Sequence, residues 1–433
     1  DFEIELTGVA SSDFNVNDFI VRTATQNVTT LGVQTDLLQS GSRVNGTGGA
    51  DTITLANGTN DIDAISVETI IGGTGNDTIE IISSGGTTSV NGGGGTDTVT
   101  LGRALTHTLN VTDVDTVIGL GGGTQTITVI DSSNTTITTG LGNDTITGGG
   151  GADVINAGGG DNVVNGSAGN DTISGEQNPD RIEHSPEYFT SLDYQNQTSG
   201  ITVTLNDTST AVGSTIGTDT LIAIDEVIGS QAADLLVAGI EYSGTNNTFD
   251  GDFGSGIEIT GAQGNDIIIG NSHTIIGYDD GNATAAVINL ANYDVTTGQT
   301  GTATRGAEVD IIKGGVVGVD GGTGGDTITG STRDELFQGN GGTDTIDGGA
   351  GRDLVSFDNE TTAVTLDLTS GGGTATGGST DIVSNIEDIL GGSGGDVLTG
   401  DAAANRIYGG LGVDTLNGDA GNDVIRGGGG NDT

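Results

Sequence analysis

Apolar side chains along this chain come one at a time and at a fixed interval. Residues 391–433 read GGSGGDVLT, GDAAANRIY, GGLGVDTLN, GDAGNDVIR and GGGGNDT, a nonapeptide with Asp or Asn at its sixth place. The same frame runs through TGLGNDTIT, GGGGADVIN, AGGGDNVVN and GSAGNDTIS at 139–174. It returns as GGTGGDTIT, GSTRDELFQ, GNGGTDTID and GGAGRDLVS at 321–356, and single copies stand at 72–80, 92–100 and 261–269. Two residues after the acid, the eighth place holds Ile79, Val99, Ile146, Ile155, Val164, Ile173, Ile268, Ile328, Phe337, Ile346, Val355, Leu398, Ile407, Leu416 and Ile425. All are apolar, whereas the composition (32% apolar) would place one there about a third of the time. The frame is therefore physical. A second unit precedes several turns: Val67–Gly72, Val114–Gly119, Ile224–Gly229 and Ile386–Gly391. Its alternation predicts a short strand feeding the next repeat. The runs ITVTLND (201–207) and AVTLDLT (363–369), each followed by a Gly/Thr-rich reversal, are expected to form longer coils.

Composition narrows the core. The 433 residues include 83 glycines and 2 prolines, aromatics are 3%, and Trp, Met and Cys are absent. A thick core is excluded, and a thin one of small β-branched residues fits. The apolar fraction is too high, and too regularly placed, for a disordered acidic tail. Without Cys there are no disulfides, no thiol catalysis and no thiolate zinc. No apolar stretch approaches the roughly 18 residues that a membrane span needs. Ten basic against 59 acidic residues give a net charge of −49. Nucleic-acid phosphates and anionic membranes are excluded as partners, and hard divalent cations are the natural ones.

The tandem motif resembles the RTX (repeats-in-toxin) family, whose consensus G-G-x-G-x-D-x-U-x forms calcium-binding β-helices. The resemblance implies an all-β fold: a right-handed parallel β-roll, or β-helix solenoid, with calcium-binding GGxGxD turns. Each coil would hold two six-residue turns and two three-residue strands, with the eighth-place side chain inward and Ca²⁺ between turns stacked on one edge. Glycines admit positive φ and let carbonyls approach a cation; Gly149, Gly151, Gly322, Gly324, Gly392, Gly394, Gly410 and Gly412 are the candidates. Asp offers a hard oxygen on a short stem, and carbonyls complete the six to eight ligands calcium prefers. The candidate acids are Asp77, Asp97, Asp144, Asp153, Asp171, Asp266, Asp326, Asp344, Asp353, Asp396, Asp414, Asp423 and Asp432. A spacing of two nonapeptides pairs Asp153 with Asp171, Asp326 with Asp344, Asp396 with Asp414, and Asp414 with Asp432. Turns carrying Asn162, Glu335 or Asn405 are expected to bind weakly or not at all, and Asp77 lacks a match at that spacing. Any single Asp also serves as a turn former without a metal. Glu68, Asp115, Asp225 and Glu387 in the preceding unit read as solvated edge residues rather than extra ligands.

The expected organisation is a strand-rich cap or module tail over 1–45, a first roll over 46–176, interrupted coils with a projecting loop over 177–260, and a second roll over 261–433. The loop, Gln177–Tyr194, holds both prolines, and its Asp180, Glu183, His184 and Glu187 read as exposed polar residues rather than a transition-metal site. At about 4.8 Å per coil the solenoid would be a rod on the order of 100 Å long. Only His107, His184 and His273 occur, none in H-E-x-x-H. With no G-x-S-x-G elbow or P-loop and no carboxylate pair singled out, the chain is not expected to be an enzyme. Calcium ions, copies of the chain itself or other surface components are the expected partners. The first functional reading is a secreted, extracellular structural protein, part of a bacterial surface layer, fibre or adhesin, with Ca²⁺ stapling adjacent coils. The second is the calcium-triggered folding and secretion module of a larger type I-secreted enzyme or toxin. Starting at Asp1 and stopping inside a repeat, the chain reads as a piece of a longer one.

Overall fold

The computed structural model describes residues 42–46, 50–55, 57–82, 85–102, 106–119, 121–175, 188–205, 209–238, 257–278, 283–291 and 300–433. The expected cap over 1–45 lies almost wholly outside these, as do Asp180, Glu183, His184 and Glu187. Every regular element among the described residues is a β-strand, and most have three to six residues. Such a strand carries one or two inward side chains, because successive residues point to opposite faces. In Thr145–Thr147, Thr327–Thr329 and Thr345–Asp347 the middle isoleucine is buried and its neighbours are half-buried or exposed.

The chain divides into two compact units. The first comprises 1–179, 185–193 and 210–224. One of its parallel ladders runs through Asp61–Ile65, Thr78–Ile81, Thr98–Leu101, Thr116–Gly119, Thr136–Thr138, Val154–Asn156, Thr172–Ser174 and Gly217–Ile222. The other runs through Thr69–Ile71, Thr87–Asn91, His107–Thr112, Gln125–Val129, Thr145–Thr147, Gly160–Asn165 and Tyr188–Asp193. Strands alternate between the ladders, so two strands and two turns close one coil of a parallel β-roll. In-register pairing stacks like on like: Val99, Val117, Ile137, Ile155 and Ile173 form one inward row, and Ile127, Ile146, Val164 and Leu192 another. Tyr188–Asp193 corrects the expected projecting loop over Gln177–Tyr194, since it is a ladder strand whose fully buried Leu192 covers Val164.

The second unit comprises 180–184, 194–209 and 225–433. Its inward rows include Ile328 on Ile346 and Val383, and Phe337 on Val355, Ile389 and Ile407. Antiparallel excursions interrupt it. Gly301–Arg305 pairs antiparallel with Ala286–Asn289 and with Glu308–Asp320. Gly372–Thr376 does so with Thr365–Asp367 and Thr380–Ser384. The flanking strands keep their parallel places, Thr365–Asp367 on Val397–Thr399 and Thr380–Ser384 on Thr345–Asp347.

The eighth-place residues from Ile79 to Ile407 are at most 1% exposed. Leu416, expected to point inward, stacks on Leu398 yet is only half-buried, because its row goes no further; Ile425 in the last coil is 45% exposed. In the consensus nonapeptide one buried aliphatic side chain serves about nine ordered residues, a thin return against the entropy of ordering them. The turns must contribute the rest.

Candidate metal turns

Each turn places its acid on the acid of the next coil. Asp153 N–H donates to Asp171 Oδ1 at 2.9 Å, and Asp326, Asp396 and Asp414 donate to Asp344, Asp414 and Asp432 at 2.7, 2.8 and 3.1 Å. Asn405 N–H donates likewise to Asp423. The paired acids therefore do not face each other across a common ion. One oxygen of each holds the backbone of the coil before it, which an amide at the sixth place can also do. Asn162 does it for Asp144 N–H, and Glu335 N–H in turn uses Asp353.

Asp77 is stacked too, contrary to the expectation of an isolated site. It accepts from Asn60 N–H and donates to Asp97, at separations of 17 and 20 residues, because coil length varies. Nor are three of the four preceding-unit acids simply solvated. Asp115 accepts from Asp97 N–H, Glu68 from Asp51 and Glu387 from Asp353. Asp219, Asp310 and Asp381, outside every repeat, hold the same post for Asp171, Asp266 and Asp344. The spacing there is 48, 44 and 37 residues, the last two stretched by antiparallel excursions, and this hides it from the eighteen-residue period. A shorter signal survives: acid, any residue, inward apolar residue, as in Asp219-Thr220-Leu221 and Asp381-Ile382-Val383.

The second oxygen is the unusual one. Oδ2 of Asp97, Asp144, Asp153, Asp266, Asp326, Asp344, Asp353 and Asp414 is buried and accepts no hydrogen bond. Burial raises the carboxyls of several: Asp153 is pushed up to about 7 and Asp326 to about 6, despite the N–H groups of Thr135 and Ala286 that oppose the shift. Asp144 rises to about 6, and Asp266 and Asp353 to about 8. Asp344 also rises through burial, with Asp381 beside it adding to the effect.

Glycine placement follows from the same crowding. A Cβ on the first-place Gly148 or Gly409 would stand 2.8 or 2.3 Å from Oδ2 of Asp153 or Asp414. A Cβ on Gly151, Gly392, Gly410 or Gly412 would meet a neighbouring coil's carbonyl oxygen at 2.0–2.2 Å, and one on Gly324 or Gly394 would meet that coil's backbone. Gly149 and Gly322 need their second-place φ of 94° and 89°.

What faces Oδ2 is shown by the asparagine variant of the turn. Asn162 Nδ2 donates to the carbonyls of Gly158 and Gly160, both at 3.2 Å, and Asn60 Nδ2 to Gly58 at 2.9 Å. With Asp in that place, carbonyls of the second and fourth places face a carboxylate oxygen and no proton lies between them. Among the described residues no three His, Cys, Asp or Glu side chains gather into a metal cluster. The donor set is thus one carboxylate with backbone carbonyls, oxygens only, which suits a hard cation such as calcium.

Sequence reasoning missed Ser167, Ser230 and Ser331, whose hydroxyls donate to Asp171, Asp234 and Glu335. It also missed Arg305, buried over the Tyr278 ring at 5.7 Å and donating to the carbonyls of Ala262 and Tyr278. The Gly-Ser start of the three serine turns was the visible signal; nothing periodic announces Arg305.

The family model of the RTX calcium-binding nonapeptide repeat matches residues 66–80, 131–164, 148–182, 258–273, 320–355, 384–416 and 408–433. No curated protein matches the chain. The chain carries RTX calcium-binding repeats in several copies, and they form the turns of its β-roll.

Proposed function

We propose that this chain is an extracellular structural repeat protein whose coils are stapled by calcium at the turns of Asp97, Asp153, Asp326, Asp344, Asp353 and Asp414. The observation that carries this reading is the set of buried Oδ2 atoms left without a donor, in the place where Asn162 meets two turn carbonyls. Calcium would supply the missing positive charge there and offset repulsion within a chain of net charge −49. Secretion suits the reading, since such turns need a compartment rich in calcium. Copies of the chain or other components of a surface layer, fibre or adhesin are the proposed partners, and no catalytic role is assigned. The repeat match also supports a second reading, a calcium-triggered folding and secretion module of a larger type I-secreted protein.

A calcium titration followed by far-UV circular dichroism tests the calcium step. We expect little β signal in chelator at pH 8, a cooperative gain at submillimolar to millimolar Ca²⁺, and a poor response to Mg²⁺, which demands tighter octahedral geometry. Full β signal in chelator, unchanged by calcium, would overturn it. Electron microscopy with and without chelator separates the structural reading, which requires calcium-dependent assemblies, from a module that stays monomeric.

A further inference from the structure

The turns fall into two conformations, and the second place of the repeat separates them in all the turns named below; the turn of Asp144 is an exception, with an orphaned Oδ2 but no positive φ at its second-place Gly140. In one, φ there is positive: Gly93 at 88°, Gly149 at 94°, Asn340 at 58°, Gly349 at 91° and Gly410 at 95°. The acids of these turns, Asp97, Asp153, Asp344, Asp353 and Asp414, all have an unpartnered, buried Oδ2. In the other, φ at the second place is not positive, and this residue turns its own donor on the acid. Ser230 N–H donates to Asp234 Oδ2 at 2.6 Å and its hydroxyl to Oδ1 at 2.8 Å. Ser331 N–H donates to Glu335 Oε2 at 2.8 Å, Gly392 N–H to Asp396 Oδ2 at 2.8 Å, and the Ser167 hydroxyl to Asp171 Oδ2 at 3.1 Å. None of these four acids has an orphaned oxygen.

We infer that the second-place residue decides, turn by turn, whether a coil is held by a cation or by the chain itself. The inference rests on the calcium reading of the open turns. A left-handed second place swings its N–H off the acid and leaves the carboxylate open. The opposite φ brings the N–H onto the carboxylate and satisfies it with no ion. Side chains other than Gly and Asn rarely adopt the left-handed conformation, so Ser locks a turn shut and its hydroxyl adds a second donor. The turns of Ser167, Ser230 and Ser331 take no calcium. Gly392 stands in the shut form but, as glycine, is free to open. Asn162 reaches the same end from the sixth place, its amide filling the gap between the carbonyls of Gly158 and Gly160. The two nonapeptides 157–165 and 166–174 are therefore both closed without metal, and one whole coil of the first unit is calcium-independent.

Anomalous scattering from a crystal grown with calcium reads occupancy turn by turn in the unaltered chain. We expect ions at Asp153, Asp344 and Asp414 and none at Asp171, Asp234 or Glu335. Ions at the serine turns would overturn the inference; ions nowhere would overturn the calcium reading and the inference with it. In solution, Asn340→Ser and Asn340→Gly both remove the bonds that Asn340 makes to Asp320 and Gln338, yet only the serine disfavours the open φ. Native mass spectrometry should count one ion fewer in Asn340→Ser, an unchanged number in Asn340→Gly and one more in Ser230→Gly. Equal counts in both Asn340 variants, or no gain in Ser230→Gly, would refute the role of the second place.

Discussion

Replacing Asp153 by Asn separates the two tasks of a turn acid. Asp153 Oδ1 accepts the Thr135 N–H at 2.7 Å, and Oδ2 is open. Asn keeps the first task and, following Asn162, gains donation to the carbonyls of its own turn; it loses the charge a cation needs. Ala loses both tasks and leaves the buried Thr135 N–H without an acceptor, which costs about 1–3 kcal/mol. Without calcium the native carboxylate is a burden. Its rise from 3.8 to about 7 corresponds to about 4 kcal/mol at most, and solvent screening at the turn edge reduces this to about 1–2 kcal/mol. With calcium each bound ion adds about 1.4 kcal/mol per tenfold concentration once its site is filling. Stability from urea unfolding, plotted against the logarithm of calcium, should rise less steeply for Asp153→Asn than for the native chain, by the equivalent of one ion. The two lines should cross, with the Asn variant above at low calcium and below at high. Asp153→Ala should run parallel to Asp153→Asn and about 1–3 kcal/mol beneath it. Equal slopes for the native chain and Asp153→Asn would show that Oδ2 holds no ion. Coincidence of the Asn and Ala lines would show that the amide bond to Oδ1 contributes nothing.

Truncating Ile346, which is 1% exposed, to Ala should cost about 2–4 kcal/mol in the calcium-loaded form; the exposed neighbour Thr345 should cost under about 1 kcal/mol, and equal losses by denaturant unfolding would reject the inward frame. Acid should partly replace calcium: the folded carboxyls of Asp153 and Asp353 sit at about 7 and about 8 against 3.8, so the folded chain holds more protons. Their stability is full below about pH 4 and lost as pH rises through 7–8; circular dichroism in chelator should show β structure growing from pH 8 to pH 5, and a signal independent of pH would contradict the burial of these acids. Asp77 is stacked on both sides just as Asp414 is, but its Oδ2 accepts from Gly73 N–H at 3.3 Å, so Asp77→Ala and Asp414→Ala should both destabilise the roll while Asp414→Ala raises the calcium midpoint more; an equal rise for both would contradict the shut form of the Asp77 turn.

The fold was legible because one periodic feature, the apolar eighth place, maps onto one structural one, the inward row. Ile155 and Ile173 are eighteen residues apart in sequence and adjacent in register. That arithmetic fails wherever a hairpin lengthens a coil, as between Asp266 and Asp310, so Asp310 and Asp381 stayed hidden although the triplet around each keeps the pattern of acid and inward residue. The turns were legible in composition but not in conformation. Gly392 and Gly410 are both second-place glycines, yet only Gly410 has a positive φ, and no residue type distinguishes them. Serine at the second place does carry a signal, since it resists the left-handed form, but reading it requires knowing that the amide there is the switch.

The amide ladder also gives the roll a direction. At the sixth place, Oδ1 of Asp153, Asp171, Asp344, Asp414 and Asp432 accepts the N–H of the coil before it, so such a turn is complete only when its C-terminal neighbour is in place. Asp396 depends in this way on Asp414, and Asp414 on Asp432. A cation would act on the same carboxylate from its other oxygen. By offsetting the charge on Asp414, an ion in that turn would favour the conformation in which Oδ1 meets the Asp396 N–H. Binding at one turn thereby supports the turn one coil toward the N-terminus, and stabilisation passes along the ladder in that sense. Closed turns such as those of Asn162 and Ser167 supply the same acceptor without an ion, Asn162 to Asp144 and Asp171 to Asp153. They would hold the open turns of Asp144 and Asp153 partly assembled at calcium levels too low to fill them, which lets one metal-free coil act as the template on which calcium-dependent coils close.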